Sequence, residues 1–440
     1  MLKHSLSEAV SELKKNWLKI LDPTEIGEVC REYNVTWRER VLSPATTVQL
    51  LLLQILHGNT AITHLRFFTA RGFSASAYCQ ARFRLPVAVL QTLLARMTGS
   101  IRQAAERTWN KRRLFFVDGS TFSMPDTTEL REHFGQPTGQ KRGCGFPVAH
   151  FLALMHAGNG LIQEVVPGAL FSHDLPRCIK LHPTLKRGDV IVGDRGFCSF
   201  AHLALLLCSG VDAVFRLHQA QIVNFRAGRR HCTKEPAIAR SRWEQKLGIK
   251  DQLVTWFKPV MHPLWMTEAQ YRALPTELLL RELAYEVHQR GFRVRRVILV
   301  TTLLDQNEFP KEVLAEAYRR RWRIETNFNH LKTTMRMDVL RCRSVDGVLR
   351  ELYAYCIIYN VVCTVMMHEA ESLGCAPERI SFIDALRWLI SACQTKCRIP
   401  LLLVPDRSHR FEPRAVKRRP KSYDLLVKPR RSYKLSAQYA

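Results

Sequence analysis

A series of short apolar runs, each closed by charged or glycine-containing residues, sets the tightest limit on what this chain folds into. Leu114-Phe115-Phe116-Val117 lies between Lys111-Arg112-Arg113 and Asp118-Gly119-Ser120, and Val190-Ile191-Val192 lies between Gly188-Asp189 and Gly193-Asp194-Arg195-Gly196. Runs this short, bounded by turn residues, read as buried strands. Phe146 to Met155 and Leu161 to Val166 flank His156-Ala157-Gly158-Asn159-Gly160, which predicts a hairpin. A helix over Ser199 to Cys208 and strands over Val211 to Leu217 and Val297 to Thr301 complete a mixed α/β core.

The flanks have a different pattern. Residues 1 to about 110 are expected to be helical: the leucine-dense segment Val48 to Leu56 follows Ser43, Pro44, Thr46 and Thr47, and a second helix is expected from Pro86 to Arg107. Between them, Arg66, Arg71, Arg82 and Arg84 are interleaved with Phe67, Phe68, Phe73, Tyr78 and Phe83. That mixture suits either contact with a DNA backbone or a helical bundle with an aromatic core and solvated arginines. Residues about 218–295 form short alternating stretches and are expected to be an inserted, β-rich subdomain, and Pro310 to about Met337 a long helix. The core domain is thus 111–340, followed by a helical and basic region, 341–440. The final 40 residues carry 11 Lys+Arg against 3 Asp+Glu, with Pro405, Pro413, Pro420 and Pro429 spaced through them. They suit an extended arm on a polyanion or a solvated tail.

Charge narrows the partners. The 440 residues include 66 Lys+Arg and 39 Asp+Glu, a net of +27, and a surplus of that size belongs on the surface. Nucleic acid is the best match, because neutralising phosphates releases condensed counterions. A membrane surface is the weaker one, since no long basic amphipathic helix stands out. The 13 scattered cysteines indicate reduced cytosolic thiols. Cys393 and Cys397 lack the second pair that a zinc site needs. Lys3, Lys14 and Lys15 interrupt the N-terminal apolar residues, so no secretory signal is expected. Tyr353 to Met367, broken by Asn360 and Thr364, is shorter than the ~18–20 residues of a bilayer span and is expected to be a buried helix. No phosphate-loop or dinucleotide fingerprint points to ATP or NAD.

Two of the buried-strand candidates run straight into an aspartate, Asp118 and Asp194. A carboxylate at the end of a buried strand sits on a rigid element that water, metal and substrate can reach. Asp189 competes with Asp194, but it follows Gly188 in a turn. On the long helix, Tyr318, Arg321, Glu325 and Lys332 are spaced by 3, 4 and 7 residues along one face, beside an apolar stripe of Ile324, Phe328, Leu331 and Met335. An acid between cations forms either a surface ion-pair ladder or a phosphate contact with a metal at its centre. The adjoining Arg319-Arg320-Arg321 favours the second.

The pattern Tyr318-x2-Arg321-x3-Glu325-x6-Lys332 resembles the signature of the IS4-type DDE transposases. The likeness runs from Asp118 to about Lys332, and the order Asp, Asp, β-rich insertion, Glu also matches. The resemblance implies an α/β catalytic core of ribonuclease H-like type with a β-rich insertion, flanked by a helical N-terminal domain that binds DNA ends and a helical C-terminal region. It implies Asp118, Asp194 and Glu325 as the catalytic, metal-binding triad, and Tyr318, Arg321 and Lys332 as contacts to transposon-end DNA. The expected cofactor is Mg²⁺, two ions per site, with Mn²⁺ as a substitute. Three carboxylates in a basic protein have enough charge to hold such a pair, and two ions serve both water attack and attack by a 3′-hydroxyl.

The expected partners are transposon-end DNA and target DNA, in a homodimeric synaptic complex in the bacterial cytosol with no membrane. The rivals are a metal-dependent nuclease without strand transfer and a catalytically inactive DNA-binding protein. Arg195 beside Asp194 suits a phosphate contact or a structural salt bridge, and Trp322 suits base stacking or, in preference, core packing. Trp256 and Trp265 lie in the insertion, where the resemblance implies base handling in a hairpin step. His173-Asp174 is expected to be loop. The Tyr353 to Met367 helix suits either protomer pairing or ordinary packing.

Overall fold

Alternation along one strand organises the molecule. In β1 (Leu114–Ser123), Leu114 and Phe116 enter one hydrophobic cluster while Phe115 and Val117 enter a second on the opposite face, as a two-residue repeat requires. This computed structural model describes residues 20–38, 40–69, 72–104, 109–137, 145–229, 236, 238–287, 296–394, 403 and 432. Arg71, Cys397, the N-terminal lysines and nearly all of the basic C-terminal arm lie outside them.

Strands β2 (Val148–His156) and β3 (Ile162–Ala169) form the expected hairpin beside β1. On the other side of β1, β4 (Val190–Gly193) and β5 (Asp212–Arg216) follow in parallel. The inserted region contributes β6 (Arg240–Gly248), β7 (Asp251–Phe257) and β8 (Glu277–Glu286), and β9 (Arg296–Thr301) follows it. The strand order is β3-β2-β1-β4-β5-β9-β8-β7-β6. The insertion is therefore β-rich as expected, but it is not a separate sheet. Strand β9 pairs antiparallel with both β5 and β8, so backbone hydrogen bonding runs unbroken from core to insertion.

The helices before β1 are α1 (Pro23–Glu32), α2 (Pro44–Leu56), α3 (Ile62–Leu65), α4 (Ala75–Arg84) and α5 (Val87–Ala104). Ser43 caps α2 by accepting from the Thr46 N–H, and Pro44 occupies the first turn, where its missing N–H costs nothing. Within the core lie α6 (Thr128–Phe134), α7 (Asp174–Ile179), α8 (Phe200–Cys208) and α9 (Glu268–Arg272). The segment after β9 is not one long helix. It comprises α10 (Lys311–Arg320), a tight turn at Arg321-Trp322, α11 (Arg323–Asn329) and a wide π-helical turn, His330–Thr334. Arg321 and Ile324 donate to carbonyls three residues back, which overwinds the chain there.

Last come α12 (Val345–Ser372) and α13 (Phe382–Gln394). By length and hydropathy α12 is long enough to cross a membrane, yet 94% of its most apolar window is buried inside the chain. Asn360 explains how a polar residue survives at its centre: its side chain both accepts from the Ile162 N–H and donates to the Ile162 carbonyl, closing the edge of β3. Of the two roles open to this helix, its burial matches ordinary packing within the chain and leaves that face covered by the chain's own core. The helical flanks share that core. Arg82 donates to Gln54 and lies 3.6 Å from Glu351, and Arg350 donates to the carbonyls of Leu85 and Phe83. Arg82 and Tyr78 are accordingly buried, whereas Phe67, Phe83, Arg66 and Arg84 are exposed.

The insertion is pinned by a buried ion pair. Arg281 on β8 donates through two nitrogens to Asp251 on β7, at 2.8 and 2.5 Å, and through a third to the Phe309 carbonyl. Asp251→Ala leaves that guanidinium buried without its counter-charge, and is expected to destabilise the fold by about 3–5 kcal/mol in urea unfolding.

Candidate active site

Register brings the two aspartates together. Phe116 pairs with Val192 in the parallel β1/β4 ladder, so Asp118 and Asp194, each two residues further on, continue as neighbours. Both share the face of Phe116 and Val192, against which Tyr318, Ile324 and Phe328 pack. Val192 in turn pairs with Val214 on β5, which carries Arg216 to the position beside Asp194. Gly193 keeps the opposite face tight, because a Cβ there would meet Phe197, Val117 and Phe215 at 2.9–3.1 Å.

Helices α10 and α11 are anchored over this edge by Leu314, Ala317, Ile324 and Phe328, all buried. The overwound turn places Tyr318 and Arg321 above one another, with the guanidinium 5.5 Å from the phenol ring centre. Arg321 Nη1 donates to Asp118 Oδ2 at 2.6 Å, and Nη2 lies 3.8 Å from Glu325 Oε1. The Tyr318 hydroxyl donates to Asp194 Oδ1 at 3.0 Å, and the Gly119 N–H donates to Asp118 Oδ1 at 2.8 Å. One buried arginine thus joins residues that are 203 positions apart in sequence.

The two aspartate carboxyls are shifted in opposite directions. Burial raises the Asp118 carboxyl above its ordinary range, Arg321 and the Gly119 N–H oppose this, and Asp194 pushes it further up. For Asp194, burial is outweighed by the Arg195 N–H, Arg321, the Tyr318 hydroxyl and Arg216, so its carboxyl lies below the usual value. Arg321 works against its own burial, because Tyr318, Asp118, Asp194 and Glu325 surround it and raise its pKa. The donor set suits a hard divalent cation: carboxylate oxygens on adjacent strand ends, with a repulsion between Asp118 and Asp194 that a cation would relieve. The three carboxylates are not drawn into one cluster here. Among the described residues, the one trio of possible ligand atoms within 4.8 Å of one another is elsewhere, at Cys178, His182 and His202.

The other sequence candidates separate cleanly. Asp189 is buried, accepting two bonds from Arg113 at 2.7 and 2.6 Å, and is structural. Arg195 does not bridge to Asp194; its side chain donates to Gln219. Trp322, favoured as core, is instead 40% exposed, because it follows Arg321 on the outer side of the turn. Trp256 is buried and donates its indole N–H to Glu282, and Trp265 packs partly buried on the same cluster. His173 and Asp174 begin α7 instead of a loop, and Asp174 lies 3.0 Å from Arg177. Lys332 sits half-buried in the π-helical turn, and among the described residues it forms no ion pair with the three acids. Arg216 was missed. Its signal was the same as that of the aspartates, a buried strand running into a charge.

Comparison with known proteins identifies the family. The family described as "Transposase DDE domain" matches residues 109–361. Transposase InsG for insertion sequence element IS4, of Escherichia coli strain K12, is 24% identical over 377 residues, covering 81% of this chain and 79% of that protein. The putative transposase InsZ of the same organism is 32% identical over 129 residues, covering 28% of this chain and 42% of its own length. A solved piggyBac transposase synaptic complex with hairpin DNA aligns with a TM-score of 0.43 at 10% identity, covering 86% of this chain and 79% of that one. The chain belongs to the DDE transposase family, in its IS4-element branch. It is a DNA transposase, and enzymes of this family use divalent metal ions.

The depressed Asp194 carboxyl has a stability consequence of definite sign. Its ionised form stabilises the fold above the ordinary carboxylate range, and that contribution is lost as pH falls through the depressed value. Tyr318→Phe and Arg321→Gln each remove a group that lowers it. Both are expected to move this acid loss to higher pH, read from thermal unfolding against pH with Asp194→Asn as the reference lacking the transition.

Proposed function

We propose that Asp118, Asp194 and Glu325 are the catalytic, metal-binding triad of a cut-and-paste transposase that cleaves at transposon ends and transfers the freed 3′ strand into target DNA. The reading is supported by one convergence: Arg321 lies against Asp118 and Glu325, while Tyr318, stacked beneath it, holds Asp194. These three carboxylates would hold Mg²⁺ or Mn²⁺, two ions per site, which would supply Lewis-acid charge for phosphodiester attack.

The chain's own residues prepare that event. Tyr318 fixes the rotamer of Asp194 and keeps it ionised. Arg321 neutralises part of the charge on Asp118, and its remaining donors serve a DNA phosphate, for which a guanidinium fork is well shaped. Arg195 and Lys332 take flanking phosphates, and the exposed Trp322 ring stacks on an unpaired base at the transposon end. The helical N-terminal domain binds the ends, and two copies of the chain bring both ends together with target DNA in the bacterial cytosol.

The test uses labelled transposon-end duplex with Mg²⁺. Asp118→Asn, Asp194→Asn and Glu325→Gln are each expected to abolish cleavage and joining of a precleaved 3′-hydroxyl end to plasmid, while end binding persists. Cleavage at wild-type rate in any of them removes that residue from the triad. Cleavage without joining in the wild type identifies a nuclease, and binding without either an inactive DNA-binding protein. Lys332→Ala is expected to lower the slope of log binding constant against log salt by about one unit, the contribution of one phosphate contact. An unchanged slope places Lys332 off the DNA.

A further inference from the structure

The geometry points to a zinc site formed by Cys178, His182 and His202, separate from the three carboxylates. Cys178 lies on α7, His182 opens the short helical turn His182–Thr184, and His202 lies on α8. The two Nε2 atoms are 3.0 Å apart, Cys178 Sγ is 3.8 Å from His202 Nε2, and all three ligand atoms fall within 4.8 Å of one another. A tetrahedral Zn²⁺, about 2.0–2.1 Å from nitrogen and 2.3 Å from sulfur, requires its ligand atoms to lie roughly 3.3–3.6 Å apart. The trio brackets that spacing without rearranging the backbone.

The tautomer is set for coordination. His202 Nδ1–H donates to the Phe197 carbonyl at 2.7 Å, so its Nε2 presents a lone pair toward the other two residues. The ring is also fixed in orientation, stacked on Phe215 at 5.2 Å. Cys178 and His202 are completely buried, and half-buried His182 is the side from which an ion enters. One thiol and two imidazoles prefer a borderline ion such as Zn²⁺ over Mg²⁺, so this site and the carboxylates select different metals. On binding, the Cys178 S–H bond breaks, the proton passes to water and a Zn–S bond forms; a water completes the four ligands. The ion would tie α7 to α8 and, through the Phe197 carbonyl, brace the turn Arg195–Phe197 that directly follows Asp194.

Co²⁺ titration of the metal-stripped full-length protein tests this, because only a thiolate ligand gives a strong sulfur-to-cobalt charge-transfer absorption. The expected result is that absorption at a single ion per chain, displaced by Zn²⁺ and accompanied by a rise in melting temperature. Cys178→Ser and His182→Ala are expected to lose the absorption and the rise while keeping the wild-type circular dichroism. Asp118→Asn with Glu325→Gln is expected to keep both, which separates this site from the proposed triad. If the wild type shows no such absorption, the proposal fails regardless of the variants, and the residues are a hydrogen-bonded neutral histidine pair beside a thiol. Undiminished absorption in Cys178→Ser overturns it equally.

Discussion

A buried guanidinium surrounded by carboxylates is the interaction on which the rest of the site depends. Folding delivers Asp118 and Asp194 to adjacent strand ends, where like charges in a partly desolvated setting oppose each other. Arg321 answers that repulsion, bonding to one aspartate, acting on the other through space and lying within reach of Glu325. Its own burial is tolerable only because those acids surround it. Arginine and acids therefore stabilise one another, and each would be costly alone.

The helices position this arginine through two local departures from regular geometry. The tight turn at Arg321-Trp322 stacks the guanidinium over Tyr318 and turns Trp322 outward. The π-helical turn that follows, His330–Thr334, carries Lys332 itself and shifts it out of the register of a regular helix. A straight helix would align Tyr318, Arg321, Glu325 and Lys332 along one face. Instead the first three gather at the sheet edge and the lysine is set apart. Apolar contacts from Ile324 and Phe328 keep the assembly on the sheet, with the Phe328 ring edge-on to Phe151 at 5.5 Å.

Much of this was legible in the sequence, for local reasons. Short apolar runs ending in aspartate announce strands and strand ends, and the spacing from Tyr318 to Glu325 announces a helical face. What stayed hidden depends on distant pairing. Nothing near residue 240 tells that β6 to β8 continue the core sheet, because that is decided by β9 pairing on both sides. Arg216 gains meaning only once the parallel register sets it beside Asp194. Composition also misjudged individual cations: Arg82, in a segment that looks like a DNA footprint, is consumed by Gln54 and Glu351 in the interior. The trio of Cys178, His182 and His202 lacks a compact motif, since two helices supply it.

The place of β9 has a consequence for biosynthesis. It is the last strand in chain order among the described residues, yet it sits between β5 and β8. While a ribosome is still producing the chain, those two strands expose open hydrogen-bonding edges, and the segment bearing Arg321 has not yet emerged. Such edges invite pairing with neighbouring nascent chains. The order of synthesis thus leaves both edges open until residues 296–301 join them.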